Sequence, residues 1–248
     1  MKRKLKVAII SGGMGDIGKA VATRLAKDGM RIFLLYHKST KNNVDTFIKS
    51  LSGSGHLALP CDLTSEKEVR YIVSKGEKKM GSLNICIHCA VGPIVRKKAS
   101  DISLKDFREQ FEVTTFGGLN LFQAVIPIMK KQKQGRIIAL TSSAIRQDAG
   151  VSGMSGYASA KQALQAILRD LSLELSPHNI MVNAVAPSFV LTRLHKDLPE
   201  QVQTFISERT PSNTKEEVAK TISFLCSEKT NNITGKSYPV GEGQITKL

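Results

Sequence analysis

The 248-residue chain is predicted to fold as a doubly wound α/β domain: a parallel sheet of about seven strands with helices on both faces. Three observations carry that expectation. Apolar runs of strand length alternate with amphipathic runs of helix length from end to end. Several of the strand runs are apolar on both faces, as happens when helices cover both sides of a sheet. A glycine-rich loop joins the first strand to the first helix. A single domain over residues 1–248 follows, because no linker, repeat or shift in composition marks a second one. The 41% hydrophobic content is sufficient for a substantial core.

Taken in order, strands are predicted at 6–11, 30–36, 56–61, 83–90, 136–142, 180–186 and 237–240, and helices at 17–27, 43–52, 66–79, 104–131, 157–176, 198–208 and 215–227. The start, Met1-Lys2-Arg3-Lys4, has the charge of a signal peptide. Its apolar run, Val7-Ala8-Ile9-Ile10, is shorter than the ~7–15 residues such a signal uses and leads straight into the glycine loop, so it reads as a buried strand. No apolar stretch approaches the ~18 residues that cross a bilayer, which predicts a soluble, cytoplasmic protein without membrane contact. The one long irregular region, residues 188–214, carries Pro199 and Pro211 and is expected to be a mobile substrate cover.

The net charge of +15 favours anionic partners. Its Lys and Arg residues are scattered, there is no Trp, and neither a zinc-finger nor a stacking motif accompanies them, which argues against specific nucleic-acid binding. The cysteines are Cys61, Cys86, Cys89 and Cys226. Only Cys86 and Cys89 have metal-like spacing, but on a strand residues three apart face opposite sides and no second ligand pair exists. Buried free thiols and no metal site are expected.

The loop Ser11-Gly12-Gly13-Met14-Gly15-Asp16-Ile17-Gly18 sits between a strand and a helix. Missing side chains let backbone approach a pyrophosphate, and the helix amino terminus then offers free N–H groups and partial positive charge. This predicts nucleotide binding. The second strand ends in Tyr36-His37-Lys38-Ser39-Thr40-Lys41, where an adenosine ribose would lie, and no acid follows until Asp45. Cations and hydroxyls there favour a 2′-phosphate, hence NADP(H), with His37, Lys38 and Ser39 as the contacts.

Tyr157 and Lys161 are four apart on a predicted helix and so share a face. A lysine held beside a phenol favours the phenolate, moving a group that titrates near ~10 toward use in proton transfer.

With these pieces in order, the chain resembles the short-chain dehydrogenase/reductase family from about residue 6 to residue 243, in particular its 3-oxoacyl-acyl-carrier-protein reductase-like members. Ser11-Gly12 followed by Asp16-Ile17-Gly18 resembles the family's TGxxxGxG, and Tyr157 with Lys161 matches YxxxK. Cys61-Asp62-Leu63 resembles the turn that borders the adenine. The run from Arg136 to Ser142 resembles the strand that ends in the catalytic serine, and Val182-Asn183-Ala184-Val185-Ala186-Pro187 the segment that positions nicotinamide. Glu217-Val218-Ala219, Phe224-Leu225 and Ile233-Thr234-Gly235 match the tail.

The resemblance implies a Rossmann fold and carbonyl reduction by NADPH. Tyr157 would donate the proton, Lys161 would hold the nicotinamide ribose and lower the phenol's pKa, and Ser142 would bond the carbonyl oxygen, with Ser143 as its rival. Further cofactor contacts are implied at Gly12, Met14, Asp62, Leu63, Ala90, Pro187 and Thr192. A small-molecule or acyl-thioester substrate is implied, with acyl-carrier protein as a possible partner. Of two basic docking positions, one is Lys133 and the other is Leu173. A homo-tetramer through the helices at 104–131 and 157–176 is implied as well.

Four positions depart from the pattern. Asp16 replaces Gly and would cap its helix; His88-Cys89-Ala90-Val91 replaces Asn-Asn-Ala-Gly and loses the usual side-chain braces; Ser188 replaces a Gly; and Thr114 stands where an Asn holds a relay water. The Thr114 hydroxyl is expected to bind that water, with Asn120 too distant to substitute. His88 and His195 read as packed or solvated histidines, not as bases. Thr114, His88 and Val91 keep one alternative open, a nucleotide-binding regulatory or scaffold protein; an NAD-dependent alcohol dehydrogenase is a further alternative, which cofactor preference discriminates.

Overall fold

The computed structural model describes residues 5–40, 43–145, 153–193 and 213–241, with Gln201 and Thr204. Its sheet has seven parallel strands: β1 (Val7–Ser11), β2 (Arg31–Tyr36), β3 (Leu57–Pro60), β4 (Ile85–His88), β5 (Gly135–Leu140), β6 (Ile180–Pro187) and β7 (Ser237–Val240). They lie in the order β3-β2-β1-β4-β5-β6-β7. The order reverses between β1 and β4, and ligands of such sheets bind outside the carboxyl ends of the strands at that reversal. Ser11 and His88, the last residues of these two strands, are register partners there.

Helices α1 (Asp16–Lys27), α2 (Val44–Ser50), α3 (Glu66–Met80), α4 (Leu104–Phe111), α5 (Gly117–Gln132), α6 (Ser155–Leu175) and α7 (Lys215–Cys226) cover the two faces. One core layer joins Ile9, Phe33 and Ile137 to Phe122 and Leu164, and the other joins Ile10, Leu34 and Ile138 to Val21, Leu25 and Ile222. Alternate residues of each strand therefore feed opposite layers, which explains strands apolar on both sides. Cys86 packs in the first layer and Cys89 against the second, and all four cysteines are free.

The differences from expectation have local causes. The strand expected at 83–90 is only Ile85–His88. Leu83 is held by the Gln132 amide instead, which accepts from its N–H at 3.1 Å and donates to its carbonyl at 2.7 Å. The strand expected to reach 142 stops at Leu140, and Ser142 sits in the turn that leads to a 3₁₀ helix at Ser143–Ile145. The helix expected at 104–131 is interrupted by a π-helical turn, Glu112–Phe116. That turn is pinned from outside the helix: Thr114 accepts at its hydroxyl from Gly92 N (3.1 Å) and at its carbonyl from His88 Nε2 (3.0 Å). Single π turns of this kind recur at functional sites. The helix expected at 198–208 lies outside the described residues except for Gln201 and Thr204.

The described ends of the 188–214 segment are tied together. Val190 bridges to Asn213, and the Asn213 amide donates to Ser188 Oγ at 2.6 Å and to the Val240 carbonyl. No helix among the described residues is long and apolar enough to cross a membrane.

Candidate active site

The glycine loop leaves β1 at Ser11 and turns sharply at Gly12, whose φ of +63° favours glycine. A Cβ there would lie 2.6 Å from the Ala90 nitrogen, so the loop and the segment after β4 touch backbone to backbone. A Cβ on Gly18 would strike the Gly12 carbonyl, so helix α1 is pressed against the loop it starts from. Gly15 caps α1 without any side-chain bond, which leaves first-turn N–H groups for an outside partner. With Met14 buried and Ile17 packed on the core beneath, the cradle fits a pyrophosphate.

Asp16 corrects the expected helix cap. Its carboxylate makes no capping bond and instead receives Arg193, from the backbone N at 2.7 Å and from Nε at 3.0 Å. Arg193 Nη2 also donates to the Met14 carbonyl at 2.7 Å. Nothing in the local sequence announces this pair.

At the adenosine end, His37, Lys38 and Ser39 form a tight turn. Ser39 approaches His37 Nδ1 through its hydroxyl at 2.7 Å and through its backbone N at 3.3 Å. No acid follows in sequence until Asp45, but the fold brings one in: Glu68, on α3, lies 3.6 Å from the Lys38 ammonium and accepts from Asp62 N at 3.1 Å. Asp62 folds back on Thr64, and that hydrogen bond above all holds its carboxyl below the ordinary range. Leu63 is buried, and its carbonyl accepts from Asn120, which thus braces the adenine side.

Ser142, Tyr157 and Lys161 are brought together beyond the carboxyl end of β5. Ser142 hydrogen-bonds the Tyr157 phenol and accepts from Ala144 N at 3.1 Å. Lys161 Nζ lies 5.9 Å from the centre of the Tyr157 ring and donates to the Leu140 carbonyl at 2.5 Å. Burial raises the phenol's pKa, with the Ser142 bond opposing, and burial brings the Lys161 ammonium down to about 8. The phenol is thus shifted upward by desolvation, opposite to the lowering expected from Lys161.

Thr114 is completely buried, and its hydroxyl is already taken by Gly92 N and by Gln110 Nε2 at 3.0 Å. The hydroxyl expected to hold a water thus also brackets α4 to the segment after β4. His88 corrects the expected loss of braces. It is wholly buried, its Nε2–H donates to the Thr114 carbonyl, and its Nδ1 accepts from Ser11 Oγ at 2.8 Å. Burial first, then the Lys161 charge, pushes the imidazole down to about 3, so it is neutral. Pro187 ends β6 opposite Val240, and Thr192 precedes Arg193 on the segment that follows. His195 lies outside the described residues.

A glycine cradle at the strand-order reversal and a Ser–Tyr–Lys cluster beside it define a doubly wound α/β protein of the nicotinamide-dependent class. The family model described as enoyl-(acyl carrier protein) reductase matches residues 13–244. The 7α-hydroxysteroid dehydrogenase of Escherichia coli (strain K12) is 30% identical over 98% of this chain and 95% of its own. The 3-oxoacyl-acyl-carrier-protein reductase of Thermotoga maritima is 28% identical over 99% of this chain and 100% of its own. A solved structure of NAD+-bound xylitol dehydrogenase shares the fold, with a TM-score of 0.87 at 24% identity over 98% of this chain and 100% of that one. The chain belongs to the short-chain dehydrogenase/reductase family, whose members are oxidoreductases that use a nicotinamide cofactor.

Proposed function

We propose that the chain is an NADPH-dependent carbonyl reductase, with a 3-oxoacyl thioester as the first substrate class to try. The observation that carries this reading is the Ser142 hydrogen bond to the Tyr157 phenol, with Lys161 on the same face of α6 anchored on the Leu140 carbonyl. A nicotinamide cofactor held by the glycine loop would supply the hydride for the carbonyl carbon. Ser142 and Tyr157 hold the carbonyl oxygen, and Tyr157 gives it the phenolic proton. Lys161, anchored on the Leu140 carbonyl, turns its remaining N–H groups toward the cofactor ribose and stabilises the phenolate that forms. His37, Lys38 and Ser39 take the 2′-phosphate.

NADPH oxidation against a panel of carbonyl compounds, 3-oxoacyl thioesters included, tests the reading. Dinucleotide binding without turnover of any carbonyl would favour the scaffold alternative. A second reading, an NAD-dependent alcohol dehydrogenase, draws on Glu68, whose carboxylate neutralises Lys38 where a 2′-phosphate would sit. Dissociation constants for NADPH and NADH separate the two, and equal values would remove the 2′-phosphate assignment.

Residues 188–214 are proposed to cover the substrate, which hydrogen exchange with and without cofactor plus substrate analogue would check. Uniformly strong protection in the free protein would count against a cover. An acyl-carrier protein would dock near Lys133, and assembly as a tetramer would use the faces of α4, α5 and α6. Phe116, 46% exposed next to α5, is an apolar residue such an interface would bury. A monomer by sedimentation would exclude that assembly.

A further inference from the structure

The contact between Asp16 and Arg193 joins two points 177 residues apart in the chain, and its place matters more than its strength as a surface ion pair. Asp16 is the first residue of α1 and stands at the mouth of the glycine cradle. A carboxylate at a helix amino terminus is favourable for the helix alone. Beside a bound phosphate it is unfavourable, because it competes for the same N–H groups and adds a like charge at short range. Arg193 answers both problems. Its backbone N and Nε occupy both oxygens of the carboxylate, and Nη2 grips the Met14 carbonyl, so the guanidinium is fixed on the loop at both sides of Gly15.

The other end of the contact is equally specific. Arg193 directly follows Thr192, on the stretch that leaves β6 at Pro187 and is tied down by Ser188, Val190 and Asn213. The segment leading to the substrate side is thereby hooked to the cofactor loop by a charge that the loop itself requires. A glycine at position 16 would need no such partner.

We propose that Asp16 and Arg193 act as one neutral unit in dinucleotide binding. Arg193 is a positioning residue that cancels Asp16 beside the pyrophosphate and, through that bond, holds the Thr192 segment against the cradle. The proposal rests on the reading of the glycine loop as the phosphate site.

The test is a cycle of isosteric substitutions, with dissociation constants for NADPH and NADH measured by titration calorimetry at low ionic strength and folding checked by thermal melting. Arg193→Gln leaves Asp16 uncompensated and should weaken binding about tenfold or more. Asp16→Asn frees the Arg193 charge beside the phosphates and should bind at least as tightly as the wild type. The double variant should return to within about threefold of the wild type, a rescue that a merely structural contact does not produce. Unchanged binding in Arg193→Gln, or a double variant as weak as Arg193→Gln, would overturn the proposal. If Arg193→Gln does not fold, Asp16→Asn alone decides: weaker binding there overturns the proposal. A wild type that binds neither dinucleotide would overturn the phosphate-site reading as well, an outcome distinct from the others.

Discussion

Replacing Tyr157 by Phe removes a single hydroxyl from the site and leaves the ring. The variant loses its hydrogen bond with Ser142, which costs about 1 kcal/mol of stability, small beside the ~5–15 kcal/mol that holds a domain folded. Chemistry is affected far more. A phenol ordinarily titrates near ~10 and burial moves this one further up, so at neutral pH the hydroxyl carries its proton and the donor is populated. Loss of a general acid costs ~10²–10⁴ in kcat, about 2.7–5.4 kcal/mol of barrier. The assay is NADPH oxidation at saturating carbonyl, with cofactor affinity measured in parallel. Affinity should hold, because Lys161 keeps its anchor on Leu140. The direction of pH dependence follows from the same groups. Reduction needs the protonated phenol, so activity should fall on the alkaline side, and Lys161 begins to lose its charge as pH passes about 8. A Tyr157→Phe enzyme that keeps more than about a tenth of wild-type turnover would refute the assigned donor.

Three other outcomes are expected. Glu68→Gln keeps an acceptor for Asp62 N but releases Lys38, so the ratio of NADPH to NADH affinity should rise, and Lys38→Ala should lower it; a ratio indifferent to both would remove Lys38 from the phosphate site. His88 is neutral when folded, at about 3, against about 6.5 in an unfolded chain, so its contribution is complete above pH 6.5 and lost as pH falls, at ~1.4 kcal/mol per pH unit. Melting temperature between pH 6 and 4 should therefore fall less steeply in His88→Asn, and identical slopes would contradict the assignment. Thr114→Val strips the acceptor from two donors, Gly92 N and the buried Gln110 amide, and should cost about 2–5 kcal/mol in denaturant unfolding; Thr114→Ser should cost far less. A silent Thr114→Val would deny the bracket.

The parts legible in sequence were those written in short-range spacing. Alternating apolar runs gave the sheet and its helices, the glycine loop followed directly from its strand–helix setting, and four-residue spacing put Tyr157 and Lys161 on one face of α6. What stayed hidden depends on contacts across the fold. Glu68 reaches Lys38 from α3, on the far side of β3 in sequence, and Arg193 finds Asp16 from beyond β6. The π turn at Glu112–Phe116 has no local signature, because its partners, His88 and Gly92, come from the end of β4 and the segment after it. Burial at Tyr157 and Lys161 was equally invisible, and it is burial that sets the direction of both their shifts.

The departures from the family pattern bear on whether the site has decayed or still works. In a scaffold that has shed its chemistry, substitutions in the cradle and behind the lysine have no reason to be matched. Here each of four is met by a partner. Asp16 is neutralised by Arg193, Thr114 receives Gly92 and Gln110, His88 joins Ser11 to the Thr114 carbonyl, and Ser188 accepts from Asn213. Two of these four, Thr114 and His88, meet at the Thr114 carbonyl and link the ends of β1 and β4, where the strand order reverses. Buried polar groups that are left unpaired cost more than the bonds they would make, so the contacts of His88 and Thr114 help to keep the cradle in one geometry. A cradle held in this way supports the reductase reading over the scaffold.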